Sequence, residues 1–237
     1  MIVGICSDIM INENCICGNC KGKCITMNSY SSMIVECGFV PIIIPNTLNQ
    51  NVLDEISKII DVLLICGNKS NPRNGTIPSD VSDDIIMDKF IHNRDTILVD
   101  NMIKLNKKVL GICYGMEFLN SYFGGKIYMN IVKDLSVKSH MKTTHGATIT
   151  KNTKLYEIFT RNSHKTNITV NSYHYAGVTT KILSDKLVVN TLSDDNLVEG
   201  FESSDGNIFG FQYHIEKHPE LYFVVKEIIG NHENSFN

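Results

Sequence analysis

Positive charge is not in excess in this chain: 22 Lys plus Arg stand against 25 Asp plus Glu, a formal net charge of −3. Without surplus Lys and Arg a surface cannot neutralise a run of phosphates, which removes the main electrostatic case for a nucleic-acid binder. Also missing is any apolar run of the roughly 18–20 residues needed to span a bilayer, so no membrane partner is expected. Internal repeats and long low-complexity linkers are absent too. The opening residues Met1–Cys6 are apolar but carry no charged leader and no cleavage pattern, so they read as a strand and not as a signal peptide. What is present suffices for a real core: 237 residues, 43% hydrophobic and 20% charged, exclude a wholly disordered chain. The expectation is a soluble, cytoplasmic protein with one domain over residues 1–230 and a frayed tail over 231–237.

With no secretion signal, the eight cysteines read as reduced thiols and not as four disulfides. Cys6, Cys37 and Cys66 lie in apolar stretches and read as small core residues. Cys15, Cys17, Cys20 and Cys24 crowd into ten residues. Four thiolates in one loop suit a tetrahedral structural Zn²⁺, with reduced or redox-labile thiols as the other reading. The loop follows the first strand, at the sheet edge where open α/β folds place their sites.

The first half alternates short apolar runs with helical patterns. Met1–Cys6, Val40–Ile44, Val62–Cys66 and Lys108–Ile112 read as strands, and Asn28–Cys37, Val52–Ile60 and Ile85–Leu105 as helices. Such alternation implies parallel βαβ units with helices on both faces of a sheet. Thr144–Ile149, Asn167–Val170, Leu187–Leu192, Val198–Glu202 and Ile208–Tyr213 then follow as close-spaced strands, closed by a helix over Glu220–Ile229. Asn68–Asp84, rich in Asn, Pro, Ser and Asp, reads as a long surface loop. The expected fold is therefore α/β, a mainly parallel central sheet flanked by helices with an added antiparallel portion.

Chemistry concentrates at Gly111-Ile-Cys-Tyr-Gly115, between an expected strand and a helix. This is the G-x-nucleophile-x-G pattern of a nucleophile elbow. The strained turn exposes its central side chain, and flanking glycines avoid Cβ clashes. A thiol at a helix N-terminus is expected to have its pKa lowered by the helix dipole. The bland reading is a buried Cys on a βα turn. A nucleophilic Cys needs a base and a group that orients the base. Ile208-Phe-Gly-Phe-Gln-Tyr-His-Ile-Glu216 ends in His-x-Glu, and on an extended chain His214 and Glu216 would face one site. His218-Pro219-Glu220 repeats the spacing but follows the strand, and Pro219 suits a helix start. Cys113, His214 and Glu216 are the expected catalytic triad.

Together these segments resemble the class I glutamine amidotransferase-like family, with its flavodoxin-like fold, and within it the stand-alone γ-glutamyl hydrolases, notably the γ-glutamyl-γ-aminobutyrate hydrolases. Further matches are Tyr30 to Pro41, the Arg94-Asp95 pair, Leu119-Asn120 followed by Gly124-Gly125, and Val170-Asn-Ser-Tyr-His-Tyr-Ala-Gly-Val178. The resemblance implies that Cys113 attacks the amide carbonyl of a small γ-glutamyl substrate, with His214 as base and Glu216 as its orienter. A γ-glutamyl thioester forms and water hydrolyses it, with no cofactor required. It implies oxyanion donors at Tyr114 and in the turn Cys66-Gly67-Asn68. Glu117 and His174 are implied at the substrate, with a structural His as the equal alternative for His174.

The chain departs from the pattern at several of these positions. Asn68 follows Gly67 where relatives have two or three glycines, Glu117 replaces Gln, Ile215 replaces Pro, Tyr213 replaces Trp, and Tyr114 replaces an Arg expected to line the pocket. His140 and His145, near the next strand, read as surface or packing residues, and Arg94 with Asp95 as a helix-surface or interhelical ion pair. A homodimer is compatible with the chain. Two rival functions stay open: a glutaminase that works with a separate synthase, and a catalytically inactive binding domain of the same fold.

Overall fold

The computed structural model describes residues 1–11, 22–68, 83–163 and 165–230. Most of the loop 68–84, Cys15, Cys17, Cys20 and the tail 231–237 therefore lie outside the described residues. In chain order the elements are β1 (Ile2–Cys6), β2 (Asp8–Ile11), β3 (Gly22–Ile25), α1 (Asn28–Glu36), β4 (Val40–Ile44), α2 (Gln50–Ile59), β5 (Val62–Ile65), α3 (Asp83–Lys104), β6 (Lys108–Ile112) and α4 (Tyr114–Tyr122). There follow α5 (Ile131–Leu135), β7 (Met141–Ile149), α6 (Lys154–Asn162), β8 (Asn167–Tyr173), β9 (Leu187–Ser193), β10 (Val198–Ser203), β11 (Ile208–Phe211) and α7 (Tyr222–Gly230).

Nine strands form one sheet in the order β4-β1-β5-β6-β11-β10-β9-β7-β8. The five from β4 to β11 run parallel, and β10, β9, β7 and β8 add on antiparallel. This is the expected α/β architecture. β2 and β3 pair antiparallel as a separate two-stranded sheet.

Alternation along the buried strands splits the core in two. Val62 and Leu64 of β5 face one layer with α1, α6 and α7, while Leu63 and Ile65 face the other with α2, α3 and α4. A period of two on a strand buried on both faces gives this division directly. Cys37 and Cys66 fill the first layer and Cys6 the second, as small core residues. All parallel strands end at one edge, so the chain leaving β1, β5, β6 and β11 converges there, where α/β sheets build their sites.

Three expectations change. α5, α6 and the β2–β3 pair add to the expected elements. The strand expected to end in His-x-Glu stops at Phe211, and Ile215–Lys217 is a single 3₁₀ turn. Pro219 opens a second such turn, Pro219–Leu221, ahead of α7.

Candidate active site

Cys113 sits between β6 and α4 with φ 53° and ψ −106°, a left-handed backbone that a non-glycine residue seldom adopts. The surroundings hold it there. Its N–H donates to the Phe211 carbonyl of β11 at 2.7 Å, and its carbonyl accepts from the Glu117 N–H at 3.1 Å. The flanking glycines are demanded by space: a Cβ at Gly111 would lie 2.5 Å from the Gly115 carbonyl, and one at Gly115 would strike the Ile65 carbonyl. The side chain of Cys113 keeps part of its surface open.

His214 Nδ1 and a Glu216 oxygen are 2.8 Å apart, both residues buried. The pairing is made by the 3₁₀ turn and not by strand alternation, which corrects the expected cause of the same contact. Gly67, just past β5, shows how closely the site is assembled. A Cβ there would stand 2.9 Å from the Tyr30 hydroxyl, 3.0 Å from His214 Cε1 and 3.2 Å from Cys113 Cβ. Thiol, imidazole and phenol thus crowd around one bare backbone position. The duplicate pair goes elsewhere: His218 Nδ1 meets Glu220 at 2.7 Å, and its Nε2 accepts the Asn171 N–H at 3.2 Å.

Electrostatics run against the expected activated thiolate. Desolvation, and next the carboxylate of Glu117, push the Cys113 thiol up, opposed by the backbone N–H of Tyr114. Helix-terminus stabilisation is present but outweighed, so the thiol stays neutral in the ligand-free site. Glu117 itself is raised from 4.5 to about 7 by burial, against a hydrogen bond from Gln212 Nε2 at 3.0 Å.

Of the expected oxyanion turn, Gly67 donates its N–H to the Tyr30 hydroxyl at 3.0 Å. Neither Gly67 nor Asn68 takes a positive φ, so Asn at 68 brings no backbone strain of that kind. Tyr114 is buried, stacks on Phe118 at 6.1 Å and directs its hydroxyl to Asp95 at 3.5 Å; it packs inside the second core layer and not in a pocket wall. Arg94 and Asp95 are likewise no surface pair. Both are buried, and Arg94 binds Asp95 at 2.6 Å, the Ser7 carbonyl at 2.5 Å and the Asn46 side chain. Cys24 is exposed and accepts from Asn46 Nδ2 at 3.4 Å.

Two features were missed in the sequence. Asn171 clamps His214, accepting its N–H at 2.9 Å and donating to its carbonyl at 3.0 Å. His174 joins a buried cluster with His140, His145 and Glu199 instead of the triad's hydrogen bonds. His140 is buried and His145 lies within β7.

The peptidase C26 family profile matches residues 1–216. The chain belongs to the peptidase C26 family. Across 195 residues it is 33% identical to a protein named as a glutamine amidotransferase in Schizosaccharomyces pombe, covering 79% of this chain and 73% of that one. A glutamine-hydrolysing GMP synthase of Dictyostelium discoideum is 30% identical over 115 residues, 48% of this chain and 15% of that one. Among solved structures, a protein described as one subunit of a GMP synthase from Thermoplasma acidophilum superposes with a TM-score of 0.65 at 16% identity, covering 97% of this chain and 92% of that one. That likeness bears on the fold, which is a glutamine amidotransferase fold. Peptidase C26 membership with a cysteine elbow points to a hydrolase acting on amide bonds. Among the described residues no helix is long and apolar enough to cross a membrane.

Proposed function

We propose that this peptidase C26 protein hydrolyses γ-glutamyl amide bonds through a γ-glutamyl thioester on Cys113. The observation that carries the reading is the convergence on Gly67: Cys113 on its strained elbow and a Glu216-bound His214 both reach the same backbone position. Glu216 holds Nδ1 of the imidazole, which leaves Nε2 to take the thiol proton. Because the thiol is neutral at rest, proton transfer to His214 accompanies attack on the carbonyl carbon and does not precede it. The sulfur–carbon bond forms as the carbonyl π bond opens to an oxyanion. The Tyr114 N–H, which interacts with the sulfur, is one donor for that charge. A second donor from Gly67 requires the Tyr30 hydroxyl to give up its hydrogen bond. Collapse expels the amine with the proton from His214. Water, deprotonated by His214, then cleaves the thioester and restores the thiol.

One observation favours a second reading. The match to a glutamine-hydrolysing synthase over 48% of the chain supports a glutaminase that passes ammonia to a separate partner. Hydrolysis of L-glutamine, γ-glutamyl-aminobutyrate and oligo-γ-glutamate by wild type and Cys113→Ala, under reducing conditions, separates the two. Turnover of a γ-glutamyl amine without a partner, lost in the mutant, is expected. Activity only on glutamine and only with a partner protein would favour the second reading. No turnover by folded protein under either condition would sink both.

A further inference from the structure

Three imidazoles and one carboxylate converge at the antiparallel end of the sheet, outside the triad's hydrogen bonds. His140 precedes β7, His145 lies within it, and His174 follows β8. Glu199 lies between Val198 and Gly200 of β10, where the pairing with β9 slips by a residue. A bulge of this kind re-aims a side chain that regular pleating would send elsewhere. One ligand atom from each of the four lies within 4.8 Å of the other three.

We propose that His140, His145, His174 and Glu199 form a closed tetrahedral site for a divalent transition-metal ion of the Zn²⁺ class. Spacing is the first argument. Metal–ligand bonds of about 2.0–2.1 Å in a tetrahedron place neighbouring ligand atoms about 3.3–3.4 Å apart. Here His140 Nδ1 and His174 Nε2 are 3.3 Å apart, and one Glu199 oxygen lies 3.4 Å from His145, 3.6 Å from His140 and 3.7 Å from His174.

The outer nitrogens give the second argument. His140 Nε2 faces the Asp195 carboxylate at 3.0 Å, His174 Nδ1 faces the Ala176 carbonyl at 2.7 Å, and His145 Nδ1 faces the Gly146 carbonyl at 3.1 Å. Each of those partners can only accept, so each outer nitrogen carries the hydrogen, and each ring in its neutral, metal-binding form turns the lone pair of its inner nitrogen inward. This is the arrangement by which metal-binding histidines are oriented, and Asp195 is itself fixed by Ser193 Oγ at 2.6 Å.

Orphaned atoms are the third. Both oxygens of Glu199 and His145 Nε2 are buried with no hydrogen-bond partner among the described residues. Lone pairs facing a carboxylate in a buried space are costly unless a cation lies between them. Nitrogen ligands with one hard oxygen suit Zn²⁺ and its neighbours in the series. Four protein ligands leave no open position, so the ion is structural. It ties β7, β8 and β10 behind the catalytic wall, where Tyr173 packs edge-on against His214 at 5.8 Å.

The experiment must separate this site from the cysteine loop, so metal-stripped wild type and a Cys15, Cys17, Cys20, Cys24→Ser variant are titrated with Co²⁺ and then Zn²⁺. One Co²⁺ per chain is expected in the serine variant. Its spectrum should show tetrahedral ligand-field bands without sulfur-to-cobalt charge transfer, and Zn²⁺ should displace it and raise the Tm. Glu199→Gln should abolish the tetrahedral spectrum, and Asp195→Asn should weaken Zn²⁺ by about 10–100-fold. No uptake by the folded serine variant would overturn the site, leaving an imidazolium–carboxylate cluster. Uptake unchanged by Glu199→Gln would overturn it equally.

Discussion

Asn171 holds His214 by both faces of its backbone, taking the N–H on Oδ1 at 2.9 Å and giving Nδ2 to the carbonyl at 3.0 Å. The histidine follows the end of β11 on a turn whose φ and ψ, −83° and 82°, belong to neither helix nor strand. Without a ladder to fix it, the base depends on this amide for its place. Asn171 is therefore a positioning residue. Asn171→Ala leaves the buried His214 N–H unpaired, a loss of about 1–3 kcal/mol, while the His214 carbonyl keeps the Lys217 N–H at 3.0 Å. Displacement of the base should lower kcat on the order of 100-fold with KM little changed. A drop in KM-linked affinity alone, with kcat intact, would place Asn171 in substrate binding instead.

Gly67 offers a sharper test of the assembled site. Any side chain there meets His214, Cys113 and Tyr30 together, at 3.0, 3.2 and 2.9 Å for the added carbon. The residue does not use a positive φ, so the backbone itself tolerates alanine. Gly67→Ala should consequently keep its circular dichroism while losing activity by roughly 100-fold or more. Full activity in the variant would mean the three groups do not converge during turnover.

Legibility in the sequence followed the range of the interaction. β1, β5 and β6 are buried on both faces, so each is a near-continuous apolar run that needs no partner to be recognised. The elbow was legible because Gly111 and Gly115 answer to clashes within a few residues of Cys113 and with the neighbouring strand. α6 was legible too, and overlooked: Thr153 caps it by accepting the Tyr156 N–H, and Leu155, Ile158 and Phe159 recur at helical spacing. The histidine cluster was not legible. His140 and Glu199 are 59 positions apart, and they meet only through the antiparallel register and a bulge that no local pattern announces. Arg94 and Asp95 looked like an ordinary helix-surface pair for a similar reason. Their partners Ser7 and Asn46 come from the ends of distant strands.

The two His-x-Glu pairs should separate cleanly on substitution. His214→Ala removes the group paired with Glu216 and should reduce turnover to the level of Cys113→Ala. His218 lies beyond Asn171, accepting its N–H at 3.2 Å, and pairs with an exposed Glu220. Its loss removes two hydrogen bonds, one of them to an exposed carboxylate and worth little, so about 1–2 kcal/mol of stability, and should cost only a few-fold in rate. Steady-state assays on the two variants decide it; equal inactivation would make His218 part of the machinery.

Glu117 links the nucleophile to pH. Its carboxyl is raised from 4.5 to about 7, first by burial, so folding favours the protonated form. Stability from this group is complete below about pH 4.5 and declines as pH rises towards 7, where the buried carboxylate forms. Gln at this position cannot ionise and keeps a polar partner for Gln212. Glu117→Gln should match wild type near pH 4.5 and exceed it above pH 7, by on the order of 3 kcal/mol. Removing a negative charge beside Cys113 should also lower the thiol pKa, since Glu117 follows burial among the causes that raise it. Alkylation of Cys113 by iodoacetamide at pH 8 should then be faster in the variant. Thermal unfolding between pH 5 and 9 checks the first expectation. A stability difference that does not change with pH would show that Glu117 is not titrating in the folded protein, and the faster alkylation would lose its cause.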